Sequence, residues 1–237
     1  MVNTLYHLPL LPLFVHYHYS RHYAPTVLEQ DELGIYDALQ LHGRISHIKL
    51  NLPPSILHKA LALDGNFLIL EHLYLSSPFS VNSGDRLPLT LPKAFIAPNL
   101  LHLTLIDIGL PKILCILTST VSLVMLTLRG IQTSSYFSPR LLVARLEPLP
   151  LLEELTISFS ISIPHPGTES ELLGEGALIT LPSLKTLQFH GVGAYLESLV
   201  AQIRVPLLEK LHIGLFHQLT FVLLHLFNLI NNRKVFC

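Results

Sequence analysis

The chain predicts an α/β solenoid, a coil of strand-plus-helix units stacked side by side, and three observations lead to it. The first is a recurring triplet, apolar-x-x-apolar-x-apolar, at Ile45/Ile48/Leu50, Leu70/Leu73/Leu75, Leu100/Leu103/Leu105, Leu123/Leu126/Leu128, Leu152/Leu155/Ile157, Leu184/Leu187/Phe189 and Leu208/Leu211/Ile213. The second is spacing: successive units begin 25, 30, 23, 29, 32 and 24 residues apart, by subtraction of their first positions. That is one strand, one helix and variable loops, the period of a leucine-rich-repeat solenoid with parallel strands on its concave side and helices on its convex side. The third is that segments between triplets carry helical rather than alternating periodicity.

Taken in order, residues 1–43 read as a degenerate amino-terminal repeat or cap, 44–230 as about seven to eight irregular repeats, and 231–237 as a short tail. Leu10, Leu13 and Val15 repeat the anchor spacing 35 residues before Ile45 and suggest an eighth unit. Residues 55–61 follow Pro53-Pro54, and Pro111 opens 112–118, both suited to helix starts. Ser138-Pro139 precedes a helix over 140–146. Gly193 precedes one over 194–203, where Leu196, Leu199, Val200 and Ile203 form an inward stripe. The intervals 76–92, 130–138 and 160–180 are rich in Ser, Pro and Gly and read as exposed loops.

Composition bounds the function. With 237 residues, 50% hydrophobic and 13% charged, the chain can bury a large core. A net charge of −1 provides no basic excess for nucleic acid or anionic membrane. Cys115 and Cys237 make no disulfide framework, and no Asn-x-Ser/Thr acceptor occurs, so an intracellular address fits. Mean hydropathy is +0.50, yet 113–128 is diluted by hydroxyl residues and 219–230 is too short to span about 20 apolar residues. Residues 1–14 hold Pro9 and Pro12, no early Lys or Arg and no small-residue cleavage site, against a signal peptide.

Leu181-Pro182-Ser183-Leu184-Lys185-Thr186-Leu187, residues 194–203, Pro206-Leu207-Leu208-Glu209-Lys210-Leu211, Ile96-Ala97-Pro98-Asn99-Leu100 and Leu149-Pro150-Leu151-Leu152-Glu153-Glu154-Leu155 share one style of repeat. These stretches resemble the leucine-rich-repeat region of fungal (basidiomycete-type) F-box proteins. The resemblance runs from about Leu10 to Ile230 and implies a substrate-receptor role in a ubiquitin ligase. There an F-box docks on the adaptor Skp1 of a cullin complex and the repeats present the target. Nothing ahead of the first repeat offers a three-helix segment opening on Leu-Pro, so Skp1 and cullin are partners only if an F-box lies upstream in the full gene. The slot three residues beyond the third anchor, where many such repeats place an Asn ladder, holds Pro53, Pro78, Ile108, Ile131, Ser160, Val192 and Phe216.

Residues flanking the anchors should point out of the concave sheet. The central column is Lys49, Tyr74, Thr104, Thr127, Thr156, Gln188 and His212, with His47, Asn51, His72, His102, Met125, Arg129, Glu154, Thr186, His190 and Lys210 beside it. The candidate protein-binding face is Lys49, Tyr74, Thr104, Thr127, Arg129, Glu154, Thr156, Gln188, His190, Lys210 and His212, since Tyr and Arg are favoured interface anchors. Water-facing strand residues are also polar for no reason beyond solvation.

Three sharper chemistries have simpler explanations. Gly191-Val192-Gly193 between strand and helix imitates a dinucleotide turn, but the third glycine slot is Leu196. His16, His18 and His22 could close on zinc and make a metal-dependent enzyme the alternative reading; interleaved Tyr17, Tyr19 and Tyr23 favour an aromatic edge strand. No Gly-x-Ser-x-Gly elbow exists, and Cys115 sits among Ile113, Leu114, Ile116 and Leu117, where a thiol is inert.

The expectation is a non-enzymatic protein-interaction scaffold with no catalytic residue, cofactor or metal, and with neither nucleic acid nor membrane as partner. A fragment or repeat-only relative without a ligase role is the other alternative. The carboxy-terminal end lacks a polar cap, so self-association through Leu223, Leu226, Phe227 and Ile230 is expected.

Overall fold

Each triplet builds a strand, because a pleated backbone sends alternate side chains to opposite sides and so puts the second and third anchors together on one face. The computed structural model describes residues 11–19, 27–61, 65–77, 95–108, 116–117, 120–131, 136–160, 177–216 and 224–231. They belong to two compact units, Met1–Leu123 and Val124–Cys237, and both are α/β with parallel strands.

In the first unit, strands β1 (Leu13–His18), β2 (Ile45–Asn51), β3 (His72–Ser76) and β4 (His102–Ile106) lie side by side in chain order, all parallel. Helix α1 (Glu29–Gln40) joins β1 to β2, and α2 (Pro54–Leu61) follows β2. Ile48 and Leu50 are in register with Leu73 and Leu75, which are in register with Leu103 and Leu105, and all six are buried. The second unit repeats the plan with β5 (Met125–Ile131), β6 (Glu154–Phe159), β8 (Thr186–Gly191) and β10 (Lys210–Leu215), again parallel and in that order. Its helices are α3 (Pro139–Leu146), α4 (Gly193–Val200) and α5 (Leu224–Asn231). A two-residue strand, β7 (Ile179–Thr180), pairs with β9 (Ile203–Arg204).

Every triplet is launched by the same turn. The N–H of the first anchor donates to the carbonyl three residues back: Ile45 to His42, Leu70 to Phe67, Leu100 to Ala97, Leu123 to Thr120, Leu152 to Leu149, Leu184 to Leu181 and Leu208 to Val205. Pro98, Pro150, Pro182 and Pro206 occupy the second position of four of these turns, where a fixed φ near −65° is already the required one. One residue before the turn a second short pairing recurs. Asn66 bridges Ile96, and Thr180 pairs with Arg204. Phe67 N–H donates to the Ile96 carbonyl and Leu181 N–H to the Arg204 carbonyl, both at 2.9 Å.

Turns are also tied to the turn before. Asn99 Nδ2 donates to the Leu68 carbonyl at 2.7 Å, and Ser183 Oγ to the Pro150 carbonyl at 2.8 Å. Beyond the strands, where an Asn ladder is missing, the backbone supplies its own partners. Tyr19 N–H reaches Asn51 O, Leu52 N–H reaches Ser76 O and Ser77 N–H reaches Ile106 O in the first unit. Ser160 N–H reaches Ile131 O and Phe216 N–H reaches Gly191 O in the second. The buried polar backbone is thereby satisfied without a side-chain ladder.

Several expectations need correction. Leu13 and Val15 are not the second and third anchors of the first strand: Val15 aligns with Ile48 and Tyr17 with Leu50, so these two anchors lie two residues later. Leu13 pairs with the first anchor Ile45 across a one-residue register shift before Phe14, a tyrosine takes the third slot, and Leu10 lies outside the described residues. Helix α4 ends at Val200 rather than at 203, because Ala201 N–H and Gln202 N–H fold back onto Glu197 and Leu199 carbonyls. Ile203 is still buried, but as a strand residue paired with Ile179. Leu226 is buried rather than surface-exposed, whereas Leu224, Phe227 and Ile230 are open to solvent. The reason is that α5 is anchored to α4: Glu197 carboxylate oxygens accept the His225 and Leu226 N–H groups at 2.8 and 3.0 Å, capping the helix start. Leu223, residues 112–115 and 118 of the expected 112–118 helix, Cys115, Cys237 and His22 lie outside the described residues.

Gly191 shows why a glycine sits between β8 and α4. A Cβ there would lie 2.8 Å from carbon atoms of both the Phe159 and Phe189 rings. These rings belong to an aromatic cluster with Tyr136, Phe137 and Tyr195, the Phe159 and Tyr195 centroids being 4.8 Å apart. Gly191 serves aromatic packing. Gly191→Ala should therefore lower unfolding stability by about 1–3 kcal/mol through overpacking, read as a lower urea midpoint at unchanged slope.

Candidate binding face

The outward side chains of each unit form columns, because parallel strands in matched register place equivalent residues side by side. In the first unit His16 aligns with Lys49, Lys49 with Tyr74 and Tyr74 with Thr104. Lys49 Nζ lies 5.4 Å from the centre of the Tyr74 ring, a cation–π contact worth about 0.5–1 kcal/mol at an exposed site. In the second unit Thr127, Thr156, Gln188 and His212 align, as do Arg129, Ser158, His190 and Gly214. Glu154, Thr186 and Lys210 complete the neighbouring column. The predicted face residues thus lie side by side within their own unit.

A groove of about 570 Å³ opens on the second unit, its lining including Arg129, Thr156, Gln188, His190, His212 and Gly214. Gly214 leaves room for the neighbouring imidazole: a Cβ there would fall 2.5 Å from His190 Cδ2. The His190 ring instead crosses β10 and meets Phe216 edge-on at 4.7 Å between centroids. At its edge β10 leaves Leu211 and Ile213 only partly covered.

One residue outside the predicted columns, a charge ladder runs along the second unit. Lys185 Nζ is 2.9 Å from Glu153 Oε2, both side chains being 42% exposed. The Glu153 hydrogen bond, aided by the charges of Glu153 and Glu209, raises the Lys185 ammonium above its ordinary range. At that exposure the pair contributes little to stability. It is legible only once the register is known, since all three residues directly follow a first anchor.

The first unit carries an aromatic ladder instead. Phe14, His47 and His72 stack across β1 to β3, with centroid separations of 4.3 and 4.1 Å, and His102 on β4 meets His72 edge-on at 4.3 Å. Burial, together with the neighbouring His47, lowers the His72 imidazolium below its usual range. His47 Nδ1 lies 3.0 Å from Ser46 Oγ, and that hydroxyl donates to the Leu13 carbonyl at 3.4 Å. One donor atom each from His47, His72 and Glu71 falls within 4.8 Å of the others. The zinc grouping suggested by the sequence is not this one. His16 and His18 are exposed on the same side of β1, but His18 Nδ1 accepts from Asn51 Nδ2 at 3.0 Å.

These features define the class: an α/β protein of parallel strands with polar outward columns. No helix among the described residues is long and apolar enough to cross a membrane. Comparison with protein-family models, with curated proteins and with solved structures finds no match to the chain.

Proposed function

We propose that the chain is a leucine-rich-repeat solenoid whose outward strand face binds another protein without catalysing a reaction. The repeat reading is supported by the shared launching turn and by the identical 2.9 Å bonds at Phe67 and Leu181. The binding reading rests on one observation, the groove of about 570 Å³ between Arg129, Thr156, Gln188, His190 and His212. It offers a guanidinium, an amide and two imidazoles in one concavity, the adaptable polar chemistry suited to a peptide loop. By resemblance, the bound protein would be a target presented to a ubiquitin ligase.

The test compares proteins retained from a lysate by the wild-type chain and by an Arg129→Glu/Gln188→Ala/His212→Ala variant, followed by direct titration of whichever protein differs. At least tenfold weaker binding by the variant is expected. Equal retention of every protein by both would end this reading. Separate titration of purified Skp1 decides the ligase role, with no saturable binding arguing against it.

A further inference from the structure

We propose that His47, His72 and Glu71 form a binding site for one divalent transition-metal ion, zinc being the chemical type, at the rim of the first unit's outward face. The donor set is two imidazoles and a carboxylate, and their nearest donor atoms lie within 4.8 Å. A tetrahedral ion with bonds of about 2.0–2.2 Å needs donors about 3.3 Å apart, so closure draws the side chains together and turns the stacked His47 and His72 rings toward a shared point. Glu71 is exposed and free to swing, and the two imidazoles are half-buried.

The backbone places the donors without help from the metal. His47 and His72 are direct partners across β2 and β3, and their rings stack at 4.1 Å with planes 14° apart. Glu71 precedes His72, and its N–H is held by the Ser46 carbonyl at 2.9 Å. A hydrogen-bond chain also holds the His47 ring, its Nδ1 lying 3.0 Å from Ser46 Oγ, which is itself 3.4 Å from the Leu13 carbonyl. With the Ser46 proton on that carbonyl, His47 Nδ1 donates to Ser46 and Nε2 keeps its lone pair. Orientation of a ligand imidazole by a bond to its other nitrogen is the usual outer support of a metal site. Three protein donors leave a further position for water or for a side chain from a bound protein.

This site is separate from the groove on the second unit and stands or falls independently of it. The test is calorimetric titration of the full chain, stripped with EDTA and kept reduced, with zinc chloride. Cobalt(II) absorption in the visible range reports the coordination number. Wild type should bind one equivalent, with His72→Ala and Glu71→Gln each weakening that equivalent at least tenfold, and His16→Ala leaving it unchanged. Circular dichroism identifies a His72→Ala chain that fails to fold, in which case Glu71→Gln, at an exposed position, carries the decision. Absence of saturable zinc binding by wild type, or affinity unchanged by Glu71→Gln and His72→Ala, would overturn the proposal.

Discussion

Leu187→Ala should lower the unfolding free energy by about 2–5 kcal/mol, a large fraction of the roughly 5–15 kcal/mol typical of a folded domain. Leu187 is the second anchor of β8, wholly buried, with Leu155 in register on one side and Leu211 on the other. Its neighbours cannot close over the lost methyl groups, because inter-strand hydrogen bonds hold their backbones apart at strand spacing. The cavity term is therefore added to the transfer term. The adjoining residue provides the control: Gln188 points outward, and Gln188→Ala should change stability by no more than about 0.5 kcal/mol. Urea unfolding of both variants measures the contrast, and equal losses would mean that the strand presents the other face to the core.

Tyr195 yields the second large effect and a sign reversal within one site. The ring is buried among Phe137, Phe159 and Phe189, so Tyr195→Ala should cost about 3–5 kcal/mol. Its hydroxyl has no hydrogen-bond partner among the described residues. Tyr195→Phe removes that unsatisfied group and keeps the packing, so it should be neutral or stabilise by about 1 kcal/mol. Burial, then Tyr136, pushes the Tyr195 phenol well above its ordinary value. The folded chain keeps this proton while the unfolded chain releases it above about pH 10. Stability present below that pH is thus lost as pH rises beyond it. Tyr17 and Tyr36, raised first by burial and then by Asp31 and Glu32 respectively, add to the same alkaline slope. Urea melts at pH 8 and pH 11 should show Tyr195→Phe losing less stability than wild type.

The anchors were legible in the sequence because leucine at fixed offsets has a single structural use. Register followed from them, and with it the columns from Lys49 to Thr104 and from Thr127 to His212. The launching turn was equally present in the letters, since Pro98, Pro150, Pro182 and Pro206 all stand two residues before a first anchor. Proline two residues before an anchor is compatible with many loops, so the turn is specified only once the strands are in register. Helix α1 gave a weak signal: only Ile35 and Leu39 of its twelve residues are buried. What holds it is distributed, with acidic residues in its first turn and Lys59 of α2 lying 3.1 Å from Glu32. The metal donors were hidden for another reason. His47 and His72 are 25 positions apart in the chain, so neither is a motif until the strands are paired. Glu197 capping α5 from 28 residues away is long-range in the same way.

The recurring bond from the residue three before the first anchor to the carbonyl in the following coil involves only main-chain atoms, and it is indifferent to whether the residue is phenylalanine or leucine. A side-chain exchange at that position therefore leaves the joint's polar pairing intact, so substitution there is limited by the volume of the surrounding core and not by hydrogen bonding.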